Sequence, residues 1–113
     1  MRELRLPLSQ KDIESLNAYE QVSLSGSLYV GRDQVHKRLY DLIQGQCALP
    51  LTLQGQCIYY MGPSPAPMGK LIGSCGPTTS SRMDPFTPLL LDHGLKVMIG
   101  KGPRSEAVRM AIK

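Results

Sequence analysis

The side chains best suited to chemistry are concentrated in residues 76–84, with the sequence GPTTSSRMD. This segment, called the hydroxyl loop below, combines a Gly-Pro turn, four consecutive hydroxyl side chains and the guanidinium of Arg82. Hydroxyls and free backbone N–H groups donate hydrogen bonds to anions, and a guanidinium is a planar fork that fits a carboxylate. The composition of the segment therefore predicts an anion-binding loop that also handles protons.

Two further cations are predicted at the ends of strands. Arg32 lies between a predicted strand and a predicted helix, and Lys101 lies just past the end of a mostly apolar strand. Strand-to-helix corners are where α/β proteins commonly display binding residues. If these strand ends lie side by side with the hydroxyl loop, three cations and several hydroxyls converge. A small dicarboxylate is the ligand that suits this combination, because each charge-assisted hydrogen bond contributes about 1.5 to 3 kcal/mol.

The same residues also have structural interpretations, and residue type alone leaves these open. The hydroxyls of residues 78–81 are typical of helix caps and turns, and Arg32 and Lys101 would serve equally well as surface charges. For His36 the first interpretation is a structural residue that orients its neighbours, and a direct catalytic role is the alternative.

The periodicity of apolar residues predicts an α/β domain that positions these side chains. Ser9 and Asp12 form a capping box, Asp33 and Gly45 are the expected start and stop of a second helix, and Gly26 marks a bulge or a close backbone approach. The helix after the hydroxyl loop begins either at Ser81 or at Thr87. We expect strands over residues 2–6, 22–30, 49–53, 56–61, 70–74 and 96–99, helices over residues 10–16, 33–44, 89–93 and 104–112, and a Pro/Gly-rich loop over residues 62–69.

Composition limits the class of protein. A chain of 113 residues with 42% hydrophobic and 19% charged residues is expected to be one soluble globular domain. The net charge of +4 suggests nucleic acid as a partner, but the Lys and Arg residues are scattered. With one Phe and no Trp there is little material for stacking bases. We therefore predict no nucleic-acid partner.

The cysteines and the apolar runs indicate the compartment. Cys47, Cys57 and Cys75 are an odd number without a Cys-x-x-Cys pair, and the sequence has no signal peptide or apolar run of membrane-spanning length. These features predict a reduced, cytoplasmic protein with no membrane contact. The three cysteines are expected to be buried small hydrophobic residues, with a metal site as the alternative. Cys75 is expected to pack in the core, with lining the site as its alternative role.

Four segments of the chain occur in an order and spacing that match one known family. They are Ser25-Gly26 followed by GRDxxHKR at residues 31–38, YxGP at residues 60–63, GPTTSxRMD at residues 76–84 and GKG at residues 100–102. Together they resemble the iron-sulfur (class I) fumarate hydratase and L-tartrate dehydratase family, in its C-terminal domain or β subunit. The resemblance runs from about Val22 to Ser105 and covers most of the chain.

The resemblance implies a fold and a reaction. The fold is an α/β domain of the swivelling three-layer β/β/α type over residues 1–113, and we expect it to be truncated at the C-terminus because domains of the family continue further. The reaction is the reversible hydration of fumarate to L-malate by a hydro-lyase of which this chain is the β subunit. Dehydration of L-tartrate to oxaloacetate is the nearest alternative, and a non-catalytic binding or assembly module of the same fold is another.

The resemblance also implies roles for single residues. The positions matching Arg32, Arg82 and Lys101 hold the carboxylates and hydroxyl of a small dicarboxylate substrate, and the position matching Thr78 is the catalytic base. A threonine hydroxyl is a poor base unless nearby cations or a partner carboxylate activate it. The Lewis acid for the leaving hydroxide is a 4Fe-4S cluster, held by a cluster-bearing α subunit and not by this chain. The chain is therefore expected to be active only with that partner.

Overall fold

The computed structural model describes residues 2–61, 68–69 and 76–113. Strands and helices alternate through most of these ranges, which is the mixed α/β character that the periodicity predicts. The elements in chain order are β1 (Arg2–Arg5), α1 (Gln10–Glu14), β2 (Val22–Ser25), β3 (Tyr29–Val30), α2 (Asp33–Gln44), β4 (Cys57–Tyr59), a 3₁₀ turn (Ser80–Met83), α3 (Thr87–Asp92), β5 (Val97–Ile99) and α4 (Glu106–Ile112).

The strands form two parallel sheets. Strand β1 pairs with β2, so that Arg2 lies opposite Val22 and Leu4 lies opposite Leu24. The other sheet has the order β3-β4-β5, with Ile58 of the central strand between residues of both neighbours. Because all three of its strands are parallel, their carboxyl ends meet at one edge, which we call the carboxyl edge.

The prediction of one continuous strand over residues 22–30 is wrong, because these residues belong to two different sheets. The chain forms β2 in one sheet, leaves it, and enters the other sheet as β3. Gly26 lies at this break with φ +116°, and a Cβ atom there would lie 2.7 Å from the backbone oxygen of Leu6. The close backbone approach predicted at Gly26 is therefore confirmed.

Apolar side chains form two clusters that use alternate residues of β4 and β5. Ile58 and Met98 belong to one cluster, whereas Cys57 and Val97 belong to the other. Because successive residues of a strand point to opposite faces, the clusters lie on opposite faces of the β3-β4-β5 sheet. The buried members of the first are Leu39, Leu53, Ile58, Tyr60, Met83, Leu90 and Leu95, and those of the second are Leu4, Leu6, Leu8 and Cys57.

The predicted helix starts are confirmed in part. The capping box of α1 is present, since Ser9 Oγ accepts from the Asp12 N–H at 3.1 Å and Asp12 accepts from the Ser9 N–H at 3.2 Å. Helix α2 ends at Gly45 as predicted, but Asp33 is its first helical residue rather than its cap. Arg32 occupies the cap position without a capping side-chain bond, and the Asp33 carboxylate still lies where the helix dipole favours it.

Other predictions differ at the ends of elements. Residues 49–53 are predicted as a strand but are irregular. Leu49, Leu51 and Leu53 pack on the first cluster, which explains why apolar residues occur in this segment. Helix α3 begins at Thr87, which decides between the two predicted starts, with Pro88 in its first turn. The predicted strand over residues 70–74, Cys75 and most of the predicted loop over residues 62–69 lie outside the described residues.

None of the helices in the described ranges combines the length and the apolar character needed to cross a bilayer.

Candidate functional site

The three strands of the second sheet end side by side at the carboxyl edge. The Gly31 N–H donates to the Tyr59 carbonyl at 3.1 Å, and the Tyr60 N–H donates to the Ile99 carbonyl at 2.8 Å. These bonds continue the sheet by one residue beyond each strand. Arg32, the next residue after Gly31, is therefore held beside the end of β4.

The hydroxyl loop is attached to the same edge by its backbone. The Thr78 N–H donates to the Tyr60 carbonyl at 2.7 Å, and the Ser80 N–H donates to the Lys101 carbonyl at 2.8 Å. Thr79 and Lys101 form an isolated parallel bridge between these bonds. Thr79 is thus the residue paired with Lys101 beyond the end of β5, and Thr78 is held beside the end of β4.

Close packing around Gly100 requires that this residue have no side chain. A Cβ atom there would lie 2.6 Å from Cδ2 of Tyr60, and it would also collide with the hydroxyl oxygen of Ser80. Ser80 is itself buried, with 4% of its surface exposed, whereas Thr78 is half-buried and Thr79 and Ser81 are exposed. Among the four hydroxyls, Ser80 therefore has a packing role, and the other three can reach solvent.

Arg32 and Arg82 line one cavity of about 450 Å³ at the carboxyl edge. Arg32 comes from the corner before α2, and Arg82 comes from the 3₁₀ turn. Thr78 and Lys101 belong to the same edge but are not part of the lining of this cavity. The full lining consists of Val30, Gly31, Arg32, Asp33, Gln34, Val35, Met61 and Arg82.

An ion pair at this cavity leaves its arginine accessible. Nε of Arg82 lies 3.6 Å from the Asp33 carboxylate, and the two side chains are 57% and 46% exposed. Exposed pairs of this kind contribute about 0 to 1 kcal/mol because solvent screens them. A carboxylate ligand can therefore compete with Asp33 for Arg82. From the sequence, Asp33 is expected only as a helix cap, and no local pattern predicts its contact with Arg82.

His36 is fully buried and supports the backbone of Arg32. Its Nδ1 lies 2.8 Å from the Arg32 carbonyl oxygen, which only accepts, so Nδ1 carries the proton. Its ring packs edge-on against Tyr60, with centroids 5.1 Å apart. Nε2 has no hydrogen-bond partner among the residues that the structure describes. This geometry favours the orienting role for His36 over a direct catalytic one.

Burial lowers the pKa of His36 below its ordinary value of 6.5, and the positive charge of Arg104 lowers it further. The bond to Arg32 and the charge of Asp33 oppose this shift without reversing it. His36 is therefore neutral in the folded protein near neutral pH.

We expect the free energy of unfolding to fall as the pH is lowered from about 7.5 to about 5.5, because the unfolded chain binds a proton that folded His36 excludes. The slope from this group is at most about 1.4 kcal/mol per pH unit. Urea unfolding across this range measures it, in the wild type and in His36→Phe. The variant should be less stable but have a shallower pH dependence. Equal slopes in both proteins would contradict the assignment.

Arg104 lies near the carboxyl edge, and no pattern in the sequence predicts a role for it. Its Nε donates to Oδ1 of Asp84 at 2.8 Å, and its two terminal nitrogens donate to the Tyr60 hydroxyl at 3.2 Å and to Thr87 Oγ1 at 2.9 Å. The guanidinium carbon also lies 5.2 Å from the centroid of the Tyr60 ring. The sequence contains no spacing signal for these contacts, since Arg104 and Asp84 are 20 residues apart.

The described part of the chain contains no cluster of three or more His, Cys, Asp or Glu residues able to hold a metal ion. Cys47 and Cys57 are free; Cys57 is buried as predicted, whereas Cys47 is exposed. Burial raises the pKa of Cys57 to about 11. The Cys57 thiol therefore stays protonated near neutral pH, whereas a metal ligand must be a thiolate. The described side chains do not fit an iron-sulfur cluster.

The chain is similar in sequence to proteins of a known family. The family model described as Fumarase C-terminus matches residues 2–113. The chain is 40% identical over 109 residues to "Fumarate hydratase class I, anaerobic" of Escherichia coli, a match that covers 96% of the chain and 19% of that protein. It is 41% identical over 92 residues to "Fumarate hydratase 1, mitochondrial" of Leishmania major, covering 80% of the chain and 17% of that protein.

A shorter relative matches over a larger share of its own length. "L(+)-tartrate dehydratase subunit beta" of Escherichia coli is 32% identical over 102 residues, covering 88% of the chain and 49% of that protein. The chain thus spans less than a fifth of the two hydratases above and about half of the dehydratase subunit.

Proposed function

The chain belongs to the fumarase C-terminus family, and on that premise we propose that it is the substrate-holding part of a hydro-lyase that reversibly hydrates fumarate to L-malate. The relatives named fumarate hydratase support this reaction. The observation that carries the proposal is the carboxyl edge, where two cations and a threonine lie at or beside the ends of adjacent parallel strands and a third cation comes from the 3₁₀ turn. These residues are Arg32, Thr78, Arg82 and Lys101.

Arg32, Arg82 and Lys101 bind the substrate in this proposal. The two arginines line one cavity and can each offer two parallel N–H donors to a carboxylate. Lys101, beyond the end of β5, supplies a compact charge for the other carboxylate or for the hydroxyl of malate. The volume of the cavity, about 450 Å³, is within the usual range for small-molecule sites and is large enough for a four-carbon dicarboxylate.

Thr78 is the proposed base that takes a proton from the carbon next to a carboxylate. Its backbone N–H is bound to the Tyr60 carbonyl, which fixes the loop and leaves the hydroxyl available. In this proposal the cations of the carboxyl edge lower the cost of a negative charge on that oxygen, but a threonine still needs a stronger group to accept its proton. We assign that group to a partner, so the chain alone should be inactive.

The proposed partner is a cluster-bearing α subunit that holds the 4Fe-4S cluster. The relative named as subunit beta supports a two-part enzyme. The free thiols Cys47 and Cys57 agree with a reducing, cytoplasmic compartment.

We also propose that the domain is of the swivelling three-layer β/β/α type. Two observations support this architecture. The β1-β2 sheet contributes side chains to the apolar cluster on one face of the β3-β4-β5 sheet, and the cluster on the other face contains residues of α2, the 3₁₀ turn and α3.

Anaerobic mixing of the chain with a matching cluster-bearing subunit tests the function. We expect fumarate to be consumed by the mixture and by neither component alone. Two alternatives have distinct outcomes. Turnover of L-tartrate but not fumarate would favour the dehydratase, which the relative at 32% identity supports. Stable association without turnover of either substrate would favour a binding or assembly module.

A further inference from the structure

We propose that Arg104 is a positioning residue that holds Arg82 and Lys101 in register with each other, acting through the carboxylate of Asp84. This inference rests on the proposed function of the carboxyl edge. It concerns a residue that does not line the cavity and is not expected to touch substrate.

The Asp84 carboxylate is bound on both oxygens by one short segment. Oδ1 accepts from Nε of Arg104, and Oδ2 accepts from the Ser105 N–H, each at 2.8 Å. The Arg104 and Asp84 side chains are only 15% and 12% exposed, and charge-assisted bonds of this length are the strong ones. The longer, half-exposed contact between Arg82 and Asp33 is weak by comparison.

The remaining nitrogens of Arg104 connect this pair to the sheet and to α3. One donates to the Tyr60 hydroxyl, at the end of β4. The other donates to Thr87 Oγ1, and that hydroxyl in turn donates to the Met83 carbonyl at 2.8 Å. A guanidinium reaches these three directions at once because its donors form a rigid fork, whereas the single ammonium of lysine cannot.

Two cross-links join residues 80–84 to residues 101–105, and the contacts of Arg104 form the second of them. The first is the bond from the Ser80 N–H to the Lys101 carbonyl, and the second joins Asp84 to Arg104. Arg82 lies between the two cross-links on one segment, and Lys101 lies on the other. Loss of the second cross-link would free Arg82 to move relative to Lys101. Thr78 would be less affected, because a separate bond to the Tyr60 carbonyl holds it.

Kinetics of Arg104→Lys in the assembled enzyme test this role. A displacement of about 1 Å by a change away from the chemistry costs on the order of 100-fold in rate, so we expect kcat/KM to fall by roughly 10- to 100-fold, mainly through a rise in KM. A purely structural role predicts the opposite pattern, since loss of folded enzyme lowers the apparent kcat and leaves KM unchanged. That pattern, or unchanged kinetics, would overturn the proposal.

Two variants serve as checks. Arg109→Lys makes the same replacement at an exposed position of α4 and should leave kcat and KM unchanged. Asp84→Asn should reproduce the rise in KM, and the double variant should be no worse than the more severe single one, because the two residues act as a unit. Additive losses would mean that Arg104 does not act through Asp84.

Hydrogen exchange in the full chain gives a readout that does not depend on the proposed reaction. In Arg104→Lys we expect the Ser80 amide to exchange at least about tenfold faster, while the buried Leu6 amide, bound to the Ser25 carbonyl in the other cluster, keeps its rate. Equal acceleration of both amides, or of neither, would overturn the inference. If the wild-type mixture shows no turnover but Ser80 responds as expected, the proposed function fails and the positioning role stands.

Discussion

Thr78→Val in the assembled enzyme is expected to lower kcat by on the order of 100- to 10,000-fold, which is the contribution typical of a positioned general base. Valine keeps the shape of threonine and removes only the hydroxyl. The structural bond of Thr78 uses its backbone N–H, which donates to the Tyr60 carbonyl, so the loop should stay attached. Steady-state kinetics measure the loss, and sedimentation measures whether the two subunits still associate.

The matched control for this variant is Thr79→Val. Thr79 carries the same side chain one position later, is exposed, and bridges to Lys101 through its backbone. We expect it to retain kcat within about threefold, because an exposed hydroxyl off the reaction path contributes little to the transition state. Near-normal kcat in Thr78→Val, or equal losses in both variants, would remove the assignment of Thr78 as the base.

Arg82→Met is expected to raise KM for fumarate by on the order of 10- to 100-fold. A hydrogen bond to a charged group contributes about 1.5 to 3 kcal/mol, and each 1.4 kcal/mol is about a factor of ten in affinity. Stability should change little, because the contact of Arg82 with Asp33 is long and half-exposed. Steady-state kinetics and urea unfolding separate the two effects.

Arg38→Met is the control for charge alone. Arg38 is an exposed cation of α2 that does not line the cavity of Arg32 and Arg82. If KM reported only the net positive charge of the domain, both variants would raise it equally. We expect a change of less than about twofold for Arg38→Met, since solvent and salt screen charges that are not in contact with the ligand. An unchanged KM in Arg82→Met would exclude this residue from substrate binding.

Local patterns in the sequence predicted those features that neighbouring residues determine. The capping box of Ser9 and Asp12 and the stop of α2 at Gly45 are present as predicted, since a cap or a stop depends on side chains within one turn. The four residues of the carboxyl edge were also selected from the sequence. Arg32 and Lys101 each follow a strand after one glycine, and Thr78 and Arg82 lie in the hydroxyl loop. The parallel sheet brings strand ends together.

The features that depend on distant segments were not predictable in this way. Apolar residues 49–53 pack on a cluster without forming a strand, and the chain leaves one sheet at Gly26 to enter another. Periodicity predicts that a side chain is buried, but it does not specify what the side chain is buried against.

By itself, the sequence determined which residue types follow the strands, where two helices begin or end, and which family the chain resembles. Only the tertiary structure decided that Asp33 contacts Arg82, that His36 supports Arg32, and that Arg104 binds Asp84 across 20 residues. The physical reason is that caps and periodicity arise from interactions within a few residues, whereas these contacts exist only after the sheet has brought separate segments together.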